Sequence, residues 1–384
     1  MNLFFDILNF MKTNKTVMTS YGDSKNNYSY SAEDLSILDC YVVIPLARKL
    51  VSKLPLWLPA NIITIISNSF VLLAAVIAWS AHRTPWPIWI LIPFCFLIYL
   101  AGDTADGLQA RRTKTGSPLG EFCDHFLDSF VTGEMMFCVF TAYGLRNLAF
   151  VGICLYISYI TQMSAFWEKY ITKKLHFSKF GSTESIVVMA IFSTIGFIPP
   201  VHRFFTRPTP IAIPFLHGYH PNIAEISLLV CAVFCFISII MTLVRTKKIS
   251  LNFILYLVFG LVLTITANFL EKGGSFGIAF LTLTFYHVDY AAALLSAIIM
   301  KEKDPMPDFI LTIAMCLALF FNVHHPVLYT VFFIYIVVFV TARVAMFIHK
   351  NGKYWYWINP ELPKEDVAPA SVATSETNTE AEDK

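Results

Sequence analysis

Charge is what this sequence has least of. Only 14% of its 384 residues are Asp, Glu, Lys or Arg, while 56% are hydrophobic and 15% aromatic; soluble domains carry about a quarter charged residues. So little charge cannot keep that much apolar surface soluble, and the solvent of this chain is largely lipid. Its net charge of +2 is too small to suggest nucleic acid as a partner. The eight cysteines include no CxxC pair, and Cys95, Cys138, Cys154, Cys231, Cys235 and Cys316 fall inside apolar runs. Their placement excludes a disulfide framework or a cysteine-ligated zinc site and makes them small buried hydrophobes. The opening stretch, MNLFFDILNFMKTNK, has no basic residues ahead of its apolar ones and no small-residue cleavage site after them, so it does not read as a signal peptide. No internal repeat is evident.

What the sequence does have is long apolar runs joined by short polar links. With about 20 residues needed per span, ten segments qualify, at roughly 61–81, 87–110, 119–142, 147–167, 183–202, 222–244, 251–270, 276–300, 308–322 and 326–348, the ninth being short. The expected fold class is therefore all-α, a polytopic membrane bundle of about ten transmembrane helices. Three regions follow. Residues 1–58 form an N-terminal segment in which SAEDLSILDCYVVIPLARKLVSKL spaces its apolar residues helically, fitting either a helix in the membrane interface or one packed on the bundle. Residues 59–350 form the membrane domain. Residues 351–384 form an acidic tail with little to bury, expected to be disordered.

Basic residues orient the bundle. One alternate set of loops holds twelve: Arg111, Arg112, Lys114, Lys169, Lys173, Lys174, Lys179, Arg245, Lys247, Lys248, Lys301 and Lys303. The other holds five: Arg83, Arg146, Arg203, Arg207 and Lys272. Both termini are then expected in the cytoplasm.

Charges inside spanning segments are the informative ones, because each costs about 2.5–3.5 kcal/mol at a helix centre on insertion scales. Segment two ends LAGDTADGLQARR, with Asp103 and Asp106 three apart; segment three begins PLGEFCDHFLDSF, with Asp124 and Asp128 four apart. Each pair shares a helix face. Gly107 and Ala110 leave the face of Asp103 bare of bulk, and Gly120 precedes Asp124 by one turn. The result is a four-carboxylate cleft with small walls on the cytoplasmic side. Four carboxylates cannot stay ionised together without cations, and hard oxygen ligands suit Mg²⁺ or Mn²⁺. Arg111 adds a guanidinium suited to phosphate oxygens, which points to phosphoryl chemistry. The bland alternative, acids paired with bases to hold the bundle, meets too few nearby bases.

The pattern D-x2-D-G-x2-A-R-x8-G-x3-D-x3-D, carried by Asp103, Asp106, Gly107, Ala110, Arg111, Gly120, Asp124 and Asp128, resembles the signature of the CDP-alcohol phosphotransferases. In that family the aspartates hold a pair of divalent metals, which the resemblance assigns to Asp103, Asp106, Asp124 and Asp128. It also implies contact with the CDP moiety for Asp106, Gly107, Ala110, Arg111 and Gly120. The element P-A-N-I-I-T, with Asn61, resembles a further nucleotide-side motif of the choline and ethanolamine phosphotransferase branch. That branch has about ten spans, as here.

Two later residues come with the resemblance. Glu184 in GSTES resembles a Thr-Glu element of the same branch, although an acid in the first turn of a helix explains it equally. His287 in LTLTFYHVDY resembles that branch's general base, a task suited to an imidazole; a lone buried histidine is otherwise usually structural. Asp128 is the alternative base. His125 reads as packing or support behind the aspartates, and Glu134 with Arg343 as a candidate structural pair.

The resemblance implies transfer of phosphocholine or phosphoethanolamine from CDP-choline or CDP-ethanolamine to diacylglycerol, releasing CMP, with two Mg²⁺ or Mn²⁺ ions as cofactors. It further implies membrane lipids and a second copy of the chain as partners. The membrane would be the endoplasmic reticulum or Golgi in a eukaryote and the plasma membrane in a bacterium. Two other readings share these residues: phosphatidyl transfer from CDP-diacylglycerol to a soluble alcohol, and divalent-cation transport, which would want its acids nearer the bilayer midplane.

Overall fold

The computed structural model describes residues 16–23, 28–34, 36–177, 181–211, 219–271, 275–323, 326–352 and 374–375. Most of the acidic tail, together with Lys179 and Lys272, lies outside these residues.

The membrane domain is built of helices. After Pro59, whose extended backbone stops any earlier start, α2 runs over Ala60–Ala81. A 3₁₀ turn, Ile88–Leu91, leads into α3, Ile92–Thr113, which ends on Lys114 in the left-handed conformation. Ser117 then caps α4, Pro118–Tyr143, accepting a hydrogen bond from the Gly120 amide at 3.0 Å. Next come α5, Leu148–Thr172; α6, Ser182–Ile195; and α7, Pro199–Phe205. The chain continues with α8, Ile223–Thr246; α9, Leu251–Leu270; α10, Phe276–Met300; α11, Ile310–Phe320; and α12, Pro326–Asn351.

Among the described residues seven helices are long and apolar enough to cross a membrane, or eight if α6 and α7 count as one span. The all-α polytopic reading holds, with two departures in detail. The expected single span at 183–202 bends by 108° between α6 and α7, where Pro199 and Pro200 interrupt the backbone ladder. The short ninth segment yields an α11 of 11 residues, about 16 Å long and well under a bilayer core. The 26-residue α4 is as long as its neighbours but carries Glu121, Asp124, Asp128 and Glu134.

Ahead of the bundle, a π-helical turn over Asp39–Val43 leads into α1, Ile44–Val51. Of the two readings of this amphipathic stretch, packing is observed: Ala47 and Val51 are buried with Ile63, Ala105 and Leu108. Arg112 on α3 clamps the end of α1 by donating to the Val51 and Leu54 carbonyls at 2.6 and 2.8 Å. The N-terminal segment also supplies β1, Thr16–Asp23, and β2, Tyr28–Asp34, paired antiparallel, so the first four residues of the stretch read as helical, Ser31–Asp34, are strand instead. With β3, Leu175–Phe177, and β4, Thr374–Ser375, they form a small sheet in the order β3-β2-β1-β4. Thr, Tyr and Val in β1 suit that conformation.

Two apolar cores flank α4. One joins α2, α3, α4 and α6 largely through small residues, including Ala74, Ala75, Ala78 and Ala190. The other joins α4 and α5 to α8 through α12 and is rich in aromatics, among them Tyr159, Trp167, Tyr256, Tyr286 and Tyr290. Glycine sets the closest approach on the first side. A Cβ at Gly102 would lie 2.5 Å from the Ser67 Cβ, so α2 and α3 meet there at backbone distance.

Candidate active site

The four-residue link between α3 and α4 turns the chain back so that both aspartate pairs lie roughly 9–15 Å along their helices from it. Glu121 lies in the first turn of α4, at its positive end, while Arg111 and Arg112 occupy the negative end of α3. Asp103 faces Asp124, and each of the four carboxylates feels the charge of others in the set. The structure thus assembles the cluster that the spacing implied.

Neighbouring helices fix each carboxylate. Thr64 on α2 donates its hydroxyl to Asp106. Tyr99, one turn before Asp103, donates to Asp128 Oδ1 at 2.9 Å, and Asn68 on α2 also bonds the Asp128 side chain. His125 turns its Nδ1 toward both aspartates of α4, 3.6 Å from Asp124 Oδ2 and 4.0 Å from Asp128 Oδ2. Asp124 Oδ1 is buried and, among the described residues, has no hydrogen-bond partner. A buried orphan oxygen among four carboxylates fits a bound divalent cation, the partner that such a donor set lacks.

The nucleotide-side residues surround this cluster. The Arg111 guanidinium folds back over Gly107, so a Cβ at 107 would lie 3.4 Å from its Nη1. The Asn61 side-chain oxygen stands 3.1 Å from where a Gly120 Cβ would be, placing Asn61 beside the first turn of α4. Ala110 lies one turn beyond Gly107 on α3. A fifth acid, Asp39, adds its charge to the field at Asp103 and accepts a hydrogen bond from Thr183 at 2.8 Å. Sequence reasoning passed over Asp39, Asn68 and Tyr99, and gave Thr64 no role of its own although it closes the P-A-N-I-I-T element. Tyr99, four residues before Asp103 on the same helix, also gave a local signal.

Among the described residues no hydrogen bond or ion pair joins Glu184 or His287 to the four aspartates. The Glu184 carboxylate accepts from Ser36 Oγ at 2.7 Å, from the Leu38 amide at 3.1 Å and from the Gly181 amide at 2.8 Å. It therefore caps α6 and straps down the segment that carries Asp39, as its first-turn position allows. His287 is 1% exposed. Its Nδ1 meets the Tyr256 hydroxyl at 2.8 Å, and its ring stacks on Tyr159 with centroids 4.6 Å apart. Tyr159 in turn donates to the Ser129 carbonyl on α4, so it stands between the imidazole and the aspartate helix. The imidazole expected to face the acceptor hydroxyl is thus enclosed by tyrosines, and among the described residues no hydrogen bond or ion pair links it to an aspartate or to Glu184. Arg343 pairs with Asp289, at 2.8 and 3.3 Å, rather than with Glu134.

Residues 57–215, which contain both aspartate helices, match the CDP-alcohol phosphatidyltransferase family. Cholinephosphotransferase 1 of Saccharomyces cerevisiae is 30% identical over 47% of this chain and 48% of its own length. Choline/ethanolaminephosphotransferase 1 of Arabidopsis thaliana is 33% identical over 39% of each chain. Ethanolaminephosphotransferase 1 of Homo sapiens is 31% identical over 38% of this chain and 41% of its own. The chain thus spans about half or less of the length of these relatives.

Proposed function

We propose that this chain, whose residues 57–215 form a CDP-alcohol phosphatidyltransferase domain, transfers phosphocholine or phosphoethanolamine from its CDP derivative to diacylglycerol and releases CMP. The observation that carries the reading is the cluster of four carboxylates from α3 and α4, with Asp124 Oδ1 buried and unpartnered. Asp103, Asp106, Asp124 and Asp128 would hold two divalent ions, Mg²⁺ or Mn²⁺, which when bound would neutralise pyrophosphate charge.

The chain's own residues do the rest. Arg111 offers its guanidinium to the pyrophosphate oxygens, with Gly107 and Ala110 leaving room beside it. Asn61 and Gly120 border the nucleotide. The diacylglycerol hydroxyl oxygen bonds to the β-phosphorus as the bridging bond to the α-phosphate oxygen breaks, and CMP leaves with that bond's electron pair. Asp128, held by Tyr99 and Asn68, takes the hydroxyl proton. His287 is not given this task, since Tyr159 separates it from α4 and Tyr256 occupies its Nδ1. Glu184 positions the segment bearing Asp39. The charge count supports a cytosol-facing site; an endoplasmic reticulum, Golgi or bacterial plasma membrane, about ten spans and a homodimer belong to the same reading by family resemblance.

The test is CMP release by the purified protein with Mg²⁺, offering CDP-choline or CDP-ethanolamine with diacylglycerol, and CDP-diacylglycerol with soluble alcohols. Metal-dependent release with a CDP-aminoalcohol, lost in Asp128→Asn, is expected. Release only from CDP-diacylglycerol would refute the proposed direction of transfer, and silence with every donor would refute the reaction class.

A further inference from the structure

The aspartate cluster contains an imidazole that the proposed reaction does not use. The ligand atoms of Asp124, His125 and Asp128 lie within 4.8 Å of one another. Two carboxylates and an imidazole nitrogen would favour Zn²⁺ or Ni²⁺, whereas oxygens alone favour Mg²⁺ or Mn²⁺. The far side of the ring decides between them.

His125 Nε2 lies 3.1 Å from Lys169 Nζ, and Lys169 Nζ lies 2.7 Å from Glu121 Oε1. Glu121 and His125 are one turn apart on α4, and Lys169 reaches them from the last turn of α5. His125 and Lys169 are buried, Lys169 only 4% exposed, and the Glu121 side chain is 8% exposed. Lys169, paired with Glu121, presents an ammonium with three protons and no lone pair. Nε2 must therefore accept, and the remaining ring proton sits on Nδ1, the nitrogen facing Asp124 and Asp128. A doubly protonated ring is excluded by the same contact, since an N–H would then point at the ammonium. Metal-ligating histidines show the reverse, donating their far N–H to a carboxylate or carbonyl. Phe166, with its ring centroid 5.8 Å from that of His125, packs beside the imidazole.

We propose that Lys169, held by Glu121, keeps the His125 Nδ1 protonated and so keeps nitrogen out of the coordination set, making the centre selective for Mg²⁺ or Mn²⁺ over Zn²⁺ and Ni²⁺. Lys169 is a positioning residue acting through His125. The inference rests on the aspartates being a metal centre. Without the ammonium, the ring can carry its proton on Nε2 and turn a lone pair toward Asp124 and Asp128.

The test uses the full chain in detergent, Mn²⁺ binding followed by electron paramagnetic resonance, displacement by Zn²⁺, and electron spin echo detection of nitrogen coupled to bound Mn²⁺. The wild type should bind Mn²⁺ without imidazole nitrogen coupling. Lys169→Met should introduce that coupling and shift the Zn²⁺/Mn²⁺ affinity ratio about tenfold or more toward Zn²⁺. Lys169→Arg, another pure donor, should behave as wild type, and adding His125→Asn to Lys169→Met should abolish the shift. Imidazole coupling in the wild type would overturn the inference whether or not the variants fold, as would an unchanged ratio in folded Lys169→Met. If the wild type and Asp124→Asn alike bind no Mn²⁺, the metal centre itself fails, an outcome distinct from either.

Discussion

The two sides of α4 treat their buried titratable groups in opposite ways. Toward α2 and α3, Asp124 and Asp128 keep 27% and 21% of their side chains exposed, small residues line the walls, and one carboxylate oxygen lacks a partner. Toward α5, α9 and α10, His287 is 1% exposed, hydrogen-bonded to Tyr256 and packed among tyrosine rings. The first arrangement gathers four carboxylates with room for a ligand; the second encloses a hydrogen-bonded imidazole in aromatic rings, although the Thr284, Tyr286 and Tyr290 hydroxyls of α10 are buried without partners among the described residues. Burial of an ionisable group therefore does not mark the chemistry in this bundle. What marks it is the convergence of four carboxylates that cannot stay ionised together without cations.

Changes on the two sides should then differ in kind. Asp124→Asn removes a ligand and is expected to reduce metal-dependent CMP release by about 10³-fold or more with the thermal midpoint held, read by turnover and melting in parallel. On the far side, Arg343→Met strands the buried Asp289 carboxylate and should cost roughly 3 kcal/mol of stability. Per-molecule turnover of the folded fraction should be nearly unaffected; a selective loss of turnover would blur the contrast. Thr64→Val leaves Asp106 without its hydroxyl partner, and a Mn²⁺ titration should show about 10- to 100-fold weaker binding. The smallest effect is expected of Gly102→Ala, whose new Cβ must push Ser67 and α2 away, costing about 1–3 kcal/mol in denaturant melts.

Much of the first side was legible in the sequence because its residues lie close together along two helices. Asp103 with Asp106, and Asp124 with Asp128, fall on shared faces by helical spacing alone, and a short link obliges the two helices to meet. The far side was not legible. His287 became a candidate base through the family resemblance, since a lone buried histidine reads as structural; its Tyr159 and Tyr256 partners come from α5 and α9, and no local pattern announces such contacts. Arg343 and Asp289 are 54 residues apart, and the expected partner Glu134 differs from Asp289 in nothing that periodicity records. Lys169 was read only as one of the basic residues at a helix end, although its ammonium is buried against His125. The bend at Pro199 was visible in the sequence and underweighted, since apolar length alone suggested one straight span.

The central claim is that the proton and the metals are handled on the aspartate side of α4. Turnover of Asp128→Asn and His287→Asn, prepared and assayed together at saturating CDP-aminoalcohol, diacylglycerol and Mg²⁺, tests it most directly. The account predicts that Asp128→Asn loses about 10³-fold or more while His287→Asn stays within about tenfold of wild type. A His287→Asn variant that folds, binds CDP-aminoalcohol normally and has lost about 10²–10⁴-fold in turnover would contradict it.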